Sequence, residues 1–312
     1  MIRPWKRIIQ LTFTSKLLNK KLVITNDSSG DELDIDIKGS KFISALKDKC
    51  LIQIFNLTYK EILEIIVGQF YEVEVKAGYQ NLGIQTFFKG SVLDISQTFS
   101  DITTTCCNII CASSLVARLG QSRINLSLSS GINMYSALKY VCDKVGINSR
   151  ISPELANQIA TKAISDSQKG ASVLSQIIDS NNLLVNTDES IAEGINIWNS
   201  LKTNNRVLNL DSKSIVLDSF PVVDKDGLSF ECMPIFNFSP GDIIKFDNSL
   251  INLGVTSAEQ VYEVHQAYMD PDGLYMVYQV EYSFANRTDT FGLRILAKAK
   301  SLVNSFIEES SK

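Results

Sequence analysis

The sequence predicts an α+β protein that is mainly β, with two small antiparallel β-barrel domains flanking a small α+β domain. Three observations predict it. Apolar and polar residues alternate with a period of two through the first third of the chain and again through the last. The middle third changes to helical spacing. Turn-forming residues separate many short strands, as in small barrels and sandwiches. The boundaries read 1–115 for the first barrel domain, 116–202 for the α+β insert, 203–300 for the second barrel domain and 301–312 for a tail.

Residues 7–14 (RIIQLTFT) set Ile9, Leu11 and Phe13 against Ile8, Gln10 and Thr12. Residues 32–39 place Leu33, Ile35 and Ile37 on one face and Asp34, Asp36 and Lys38 on the other. Residues 50–58 oppose Ile52 and Ile54 to Leu51, Gln53 and Phe55. A short helix over about 58–66 follows, capped by Thr58 with Glu61 three residues on, its apolar face supplied by Ile62, Leu63, Ile65 and Ile66. After Gly68, FYEVEVKAGY, QTFFKGSVLDISQ and DITTTCCNIICAS continue the strand pattern.

The middle third carries a helix with Asn133 as N-cap and Gly146 as its stop, and Ala137, Leu138, Val141, Cys142 and Val145 fall on one stripe. A second unit of the same design runs from Ser167 to Val185, with Val173, Leu174, Ile177 and Ile178 in the matching places. LLVNTD and INIWNS then read as strands. In the last third, SIVLDSFPVV, GLSFECMPI, GDIIKFDN, QVYEVHQAYMD and LYMVYQVEYSF read as strands. Asp270-Pro271-Asp272-Gly273 is a strong turn signal, so the last two strands are expected to form a hairpin in which Tyr262/Val264 and Tyr275/Val277 are half-buried. The tail is expected to be a helix that docks on a partner and frays where Glu308 and Glu309 oppose its dipole.

The chain has 312 residues, 45% apolar and 21% charged, which suits two or three folded domains. A net charge of −4 gives no global positive field for a sequence-reading grip on DNA, while passage of DNA past the protein is compatible with it. Gln10, Thr12 and Thr14 interrupt the N-terminal apolar run, so no signal peptide is expected, and no stretch is long enough for membrane insertion as a helix. The expected location is the cytoplasm, or an assembly formed there.

The chain resembles the tail-hub (baseplate hub) proteins of tailed bacteriophages, the group that includes the hubs of T-even phages and phage Mu. Three stretches carry the resemblance. They are residues 33–58, ending in Ile54-Phe55-Asn56-Leu57; residues 68–96, with Ala77-Gly78-Tyr79 and Phe88-Lys89-Gly90; and residues 227–282, where Ser239-Pro240-Gly241-Asp242 opens a strand. The resemblance implies a homotrimer whose six barrels join a hexameric tail tube to a trimeric central spike. Other baseplate or tape-measure proteins are the implied neighbours, DNA is in the lumen only transiently, and the location is the virion tail after assembly in the host cytoplasm. No lysozyme-like or needle-like domain is fused, which leaves open a separate spike protein. The residues also leave open a phage tail, contractile or not, a bacteriocin or a secretion system.

No catalytic, cofactor-binding or metal residues are expected. His265 is the single histidine and reads as a strand residue, so a nucleophile–His–acid arrangement would have to use it. Cys50, Cys106, Cys107, Cys111, Cys142 and Cys232 lack paired metal-ligand spacing and read as buried thiols. Asp34/Asp36 and Glu72/Glu74 share strand faces and read as a solvated or lumen-facing acidic surface that would repel DNA phosphates. Tyr268, Tyr275, Tyr278, Tyr282 and Phe284 read as core ahead of trimer interface. The alternatives to a non-enzymatic hub are a cell-wall-degrading glycosidase using Glu72 or Asp94, and a receptor-binding tail module.

Overall fold

The computed structural model describes residues 6–26, 33–43, 48–99, 104–113, 123–128, 131–159, 164–169, 174, 177–178, 183–188, 194–199, 207–210, 221–224, 227–253 and 268–301. The first segment comprises β1 (Arg7–Ser15), β2 (Lys20–Thr25), β3 (Asp34–Phe42), β4 (Lys49–Phe55), α1 (Tyr59–Val67), β5 (Glu72–Tyr79), β6 (Gly83–Phe99) and β7 (Thr105–Ser113). The insert contributes β8 (Arg123–Leu128), α2 (Met134–Val145), β9 (Asn148–Ile151), β10 (Ile164–Lys169), β11 (Leu183–Asp188) and β12 (Gly194–Asn199). The last segment comprises β13 (Val207–Asn209), β14 (Val222–Asp224), β15 (Gly227–Cys232), β16 (Ile243–Lys245), β17 (Asn252–Leu253), β18 (Leu274–Ala285) and β19 (Phe291–Ala299).

Period-two patterning becomes burial. Ile9, Leu11 and Phe13 of β1, Ile35 and Ile37 of β3, Ile52 and Ile54 of β4, and Ile109 and Cys111 of β7 all point into one core. The helices obey their caps. Thr58 and Glu61 form the reciprocal capping box of α1. Asn133 Oδ1 accepts from Ser136 N–H at 3.1 Å, and α2 stops at Gly146, whose φ of 75° is the left-handed conformation glycine adopts without strain. Of the four residues expected to form α1's apolar face, Ile62 and Ile65 are buried while Leu63 and Ile66 are exposed.

The mainly β, α+β class holds. The strands of both outer segments lie in one 14-stranded sheet, ordered β17-β14-β15-β19-β18-β3-β4-β7-β6-β5-β1-β2 with β13 and β16 attached beside β18. Closure of either half into a barrel is not among the described pairings; one continuous path joins both halves through β18 and β3. Within that path a connectivity repeats. The hairpin β3–β4 is followed in the sheet by β7 and then β6, as the hairpin β14–β15 is followed by β19 and then β18. The long strands β6 and β18 both change register against their partners, at Val92/Asp94 and Val277/Gln279. The early part of β6 pairs with β5, and that of β18 with β16.

The insert has a core of its own, built by Leu138, Val141, Leu174, Ile177, Val185 and Ile197 among others. Each of its two helical units follows a strand, β8 or β10, and these strands pair with one another. Leu174, Ile177 and Ile178 are helical and buried as expected, while Val173 lies outside the described residues.

The expected final hairpin is corrected. Asp270 does organise a turn, its Oδ1 accepting from the N–H groups of Asp272 and Leu274 at 3.0 and 3.1 Å. One edge of β18, however, is taken by β19 and the other by β16 and β3, so the hairpin is β18–β19, downstream of the turn. Tyr275 and Val277 are fully buried, not half-buried. Tyr262, Val264, His265 and the tail from 302 lie outside the described residues.

Side chains clamp the seam between the halves. Asn286 accepts from Ile35 N–H at 2.8 Å and donates to Leu33 C=O at 2.8 Å. Arg7 donates to the carbonyls of Ala285 and Thr288 while lying 5.2 Å over the Phe291 ring. Asn237 bridges Lys41 and the Thr86 carbonyl, and Gln85 donates to the Ile235 carbonyl. Gly39 is required by closeness: a Cβ there would sit 2.2 Å from the Tyr282 hydroxyl oxygen. Asn286→Ala should cost about 1–2 kcal/mol, and Gly39→Ala roughly 1–3 kcal/mol by overpacking. Denaturant unfolding checks both, and no loss in either would show that the seam contributes little.

Candidate assembly surfaces

The sheet face turned away from the core is polar and cross-linked. Gln53 donates to Asn108 Oδ1 at 2.8 Å and Asn108 to Thr98 Oγ1 at 3.0 Å, a ladder across β4, β7 and β6. Asp34 and Asp36 share this face as expected, but so do Lys38 and Lys49, and Lys38 lies 3.4 Å from Asp36. Arg294 on β19 lies 3.7 Å from Glu281 on β18. A groove of about 1040 Å³ crosses the seam here, bordered by Lys38, Lys49, Glu231, Glu281 and Arg294. The face is therefore mixed in sign, where the sequence suggested an acidic one.

Of the two carboxylates suggested for acid–base work, one is held in an ion pair and the other is exposed. Glu72 pairs with Lys16 at 2.5 Å. Glu74 accepts from Thr86 at 3.0 Å and lies 3.3 Å from both Lys76 and Lys89. Burial would raise the Glu74 pKa, but the Thr86 hydrogen bond and the two lysines outweigh it and hold it below its usual value. Asp94 is exposed on β6. Among the described residues no cluster of three or more His, Cys, Asp or Glu side chains could hold a metal ion.

All six cysteines are buried thiols. Cys50 faces Cys111 across β4 and β7. Burial pushes the Cys50 thiol up to about 12, with a smaller opposing effect from Tyr282, and also raises Cys107 and Cys142, each to about 11. Such thiols are inert packing groups at neutral pH. The C-terminal aromatics are core. Phe284 packs against Phe87 at 4.8 Å and Phe291 at 5.3 Å, and it stacks with Tyr282 at 5.6 Å. Tyr278 instead lies under the Lys298 ammonium at 5.4 Å.

The surfaces the sequence reading missed are apolar and exposed. On α1, Tyr59, Leu63, Ile66 and Val67 lie outside the half that Ile62 and Ile65 bury, and Tyr71, shortly after the helix, is exposed as well. Val92 N–H donates to the Tyr71 carbonyl at 2.8 Å, which sets Leu93 of β6 next to it. Leu93 and Phe99, near the two ends of the distal part of β6, are also exposed. The signal was present in the helix, whose apolar arc is wider than one core contact needs.

Two measurements check these assignments. The cysteines of the native chain should resist alkylation at pH 8 and react fully in denaturant; fast native labelling would contradict their burial. Because Glu74 titrates below its usual value, its contribution is present above pH 4.5 and fades as pH falls through the lowered value. Glu74→Gln should thus lower stability slightly at pH 7 and progressively less as pH falls through the lowered value, the difference being small because the pairs are largely solvated.

No protein-family model matches the chain, and no curated protein matches it in sequence. Solved structures do match. The 43 kDa tail protein of prophage MuSo2 from Shewanella oneidensis superposes with a TM-score of 0.57 at 11% identity, over 96% of this chain and 99% of that one. The tail protein from Neisseria meningitidis MC58 gives 0.57 at 9% identity, over 96% and 98%. The E. coli c3393 protein, described as a component of the type VI secretion system similar to the T4 bacteriophage tail proteins gp27 and gp5, gives 0.54 at 11% identity, over 88% and 76%. At such identities the likeness is one of fold, and the expected resemblance holds at that level: this chain is folded as the tail proteins of bacteriophages are.

Proposed function

We propose that the chain is a structural, non-enzymatic hub subunit of a bacteriophage-type tail. In this reading three copies form a ring of six similar modules, which joins a hexameric tail tube to a trimeric central spike and lets DNA pass transiently. The modules are residues 1–115 and 203–300, with 116–202 as an insert and 301–312 as a tail that docks on a neighbour. The subunit is assembled in the host cytoplasm and carried in the virion, beside the tape-measure and other baseplate proteins.

One observation carries the reading beyond the shared fold: the connectivity β3-β4-β7-β6 recurs as β14-β15-β19-β18 within one sheet. A chain with two equivalent modules placed on a threefold axis presents six, which reconciles sixfold and threefold neighbours. The lysine-paired carboxylates Glu72 and Glu74 support the non-enzymatic side of the reading. A face of mixed sign suits a wall along which a polyanion moves without sticking.

Light scattering on the purified chain over a range of concentrations tests it. A species of three times the 34.7 kDa chain mass is expected. A monomer at every concentration, or release of sugar fragments from peptidoglycan by the pure chain, would count against the hub.

A further inference from the structure

The hairpin β1–β2 ends in a tip for which the hub reading has no use. A turn over residues 16–19 joins the two strands, and Lys16, Leu17, Leu18, Asn19, Lys20 and Lys21 are all exposed. The turn is built without the leucine side chains. Ser15 Oγ accepts from Leu18 N–H at 3.3 Å, and Asn19 takes the left-handed conformation at φ 51°, which asparagine tolerates. Leu17 and Leu18 nevertheless occupy the tip, 75% and 46% exposed, where turn chemistry favours small polar residues.

Charge at this end of the chain is one-sided. Residues 1–26 hold six basic side chains, Arg3, Lys6, Arg7, Lys16, Lys20 and Lys21, and no acidic one, in a chain of net charge −4. Lys16 is paired with Glu72, and Arg7 is engaged in the clamp at the far end of β1. Lys20 and Lys21 pair with no carboxylate among the described residues. Val23, also exposed, shares one face of β2 with Lys21, so the mixed basic and apolar surface runs on from the tip. β2 is an edge strand, and lysines commonly blunt such edges against aggregation. That device accounts for Lys20 and Lys21 alone. It does not call for two exposed leucines beside them, which a guarded edge avoids.

We infer that the tip of the β1–β2 hairpin, residues 16–21, docks on an anionic phospholipid bilayer. Leu17 and Leu18 enter the boundary between headgroups and acyl chains, and Lys20 and Lys21 meet the headgroup phosphates. The partner must offer negative charge and hydrocarbon within one side-chain length of each other, and a bilayer surface does. A soluble polyanion would engage the lysines and leave both leucines in water. The contact is interfacial, since so short a tip cannot span a membrane. One tip with two leucines is a weak, reversible anchor, and several tips on one assembly would add by avidity. The inference goes beyond the hub reading and does not depend on it.

Vesicle flotation of the full chain provides the test. The chain should float with vesicles of mixed phosphatidylglycerol and phosphatidylcholine and not with phosphatidylcholine alone, and high salt should weaken the binding. Leu17→Ser with Leu18→Ser, and Lys20→Glu with Lys21→Glu, should each cut retention at least tenfold. Both pairs should keep the circular dichroism and thermal midpoint of the parent, because all four side chains are exposed. Leu17→Cys carrying an environment-sensitive dye should shift to the blue on the anionic vesicles, the six native thiols being buried. Equal retention on both vesicle types, a dye that stays in water, or binding that survives loss of the leucines overturns the inference. The last result, together with retention on heparin, would assign the lysines to a soluble polyanion. Light scattering on the same samples keeps the two readings apart. A trimer that ignores vesicles removes this inference alone, and a monomer that binds them removes the hub alone.

Discussion

The structure depends on the pairing of β3 with β18, strands from opposite ends of the chain. It turns what would be two small sheets into one and brings Phe284, Phe87, Phe291 and Tyr79 into one aromatic cluster. Small domains are marginal because they bury a low share of their surface, and a shared core relieves this. Joining distant segments costs loop-closure entropy that grows only logarithmically with length, so the long insert between them is tolerated. Speed is what suffers, since non-local strand pairing folds slowly. Asn286 and Arg7 hold the turn after β18 against β3 and β1, locking the last strands to the first. Residue 43 ties in the insert: its N–H donates to the Tyr278 carbonyl and its C=O accepts from Val185 N–H.

Much of this was legible in the sequence, and the parts that were have local causes. Alternation in β1, β3, β4 and β5 marks which side chains enter the core, because a strand has a period of two whatever it pairs with. Thr58 with Glu61, and Asn133 with Gly146, mark helix ends by satisfying main-chain groups within a few residues. Strand partners were not legible. Nothing in LYMVYQVEYSF says whether its neighbour is the preceding segment or β3, since both would bury the same face. The Asp270 turn was read correctly and the wrong hairpin drawn from it, because a turn fixes chain direction and not the strand that fills an edge. Of the aromatics of β18, Tyr282 and Phe284, which alternate with polar Glu281 and Ser283, enter the core as expected, whereas Tyr278 does not.

The candidate surfaces were legible only in part. Shared faces for Asp34 with Asp36 and Glu72 with Glu74 follow from spacing. Their neutralisation does not, because Lys16 in the turn after β1 and Lys89 on β6 reach Glu72 and Glu74. The exposure of Leu63 and Ile66 on the apolar face of α1 was not legible, because a helix arc does not say how much of it the parent domain covers. An apolar arc wider than the available core leaves an exposed apolar patch on the helix.

The matching parts of β18 and β6 differ in chemistry although their connectivity repeats. Within the chain the covalent connection keeps β3 at high effective concentration beside β18, so that joint can afford deep aromatics and buried clamps. A long open edge with an apolar surface would aggregate. The distal part of β6 tempers this with Asp94, Ser96, Gln97 and Thr98, confining its exposed apolar groups to Leu93 and Phe99 at the two ends. Repeated topology therefore does not carry repeated side-chain chemistry: Phe284 is sealed in the core where its counterpart Phe99 is exposed.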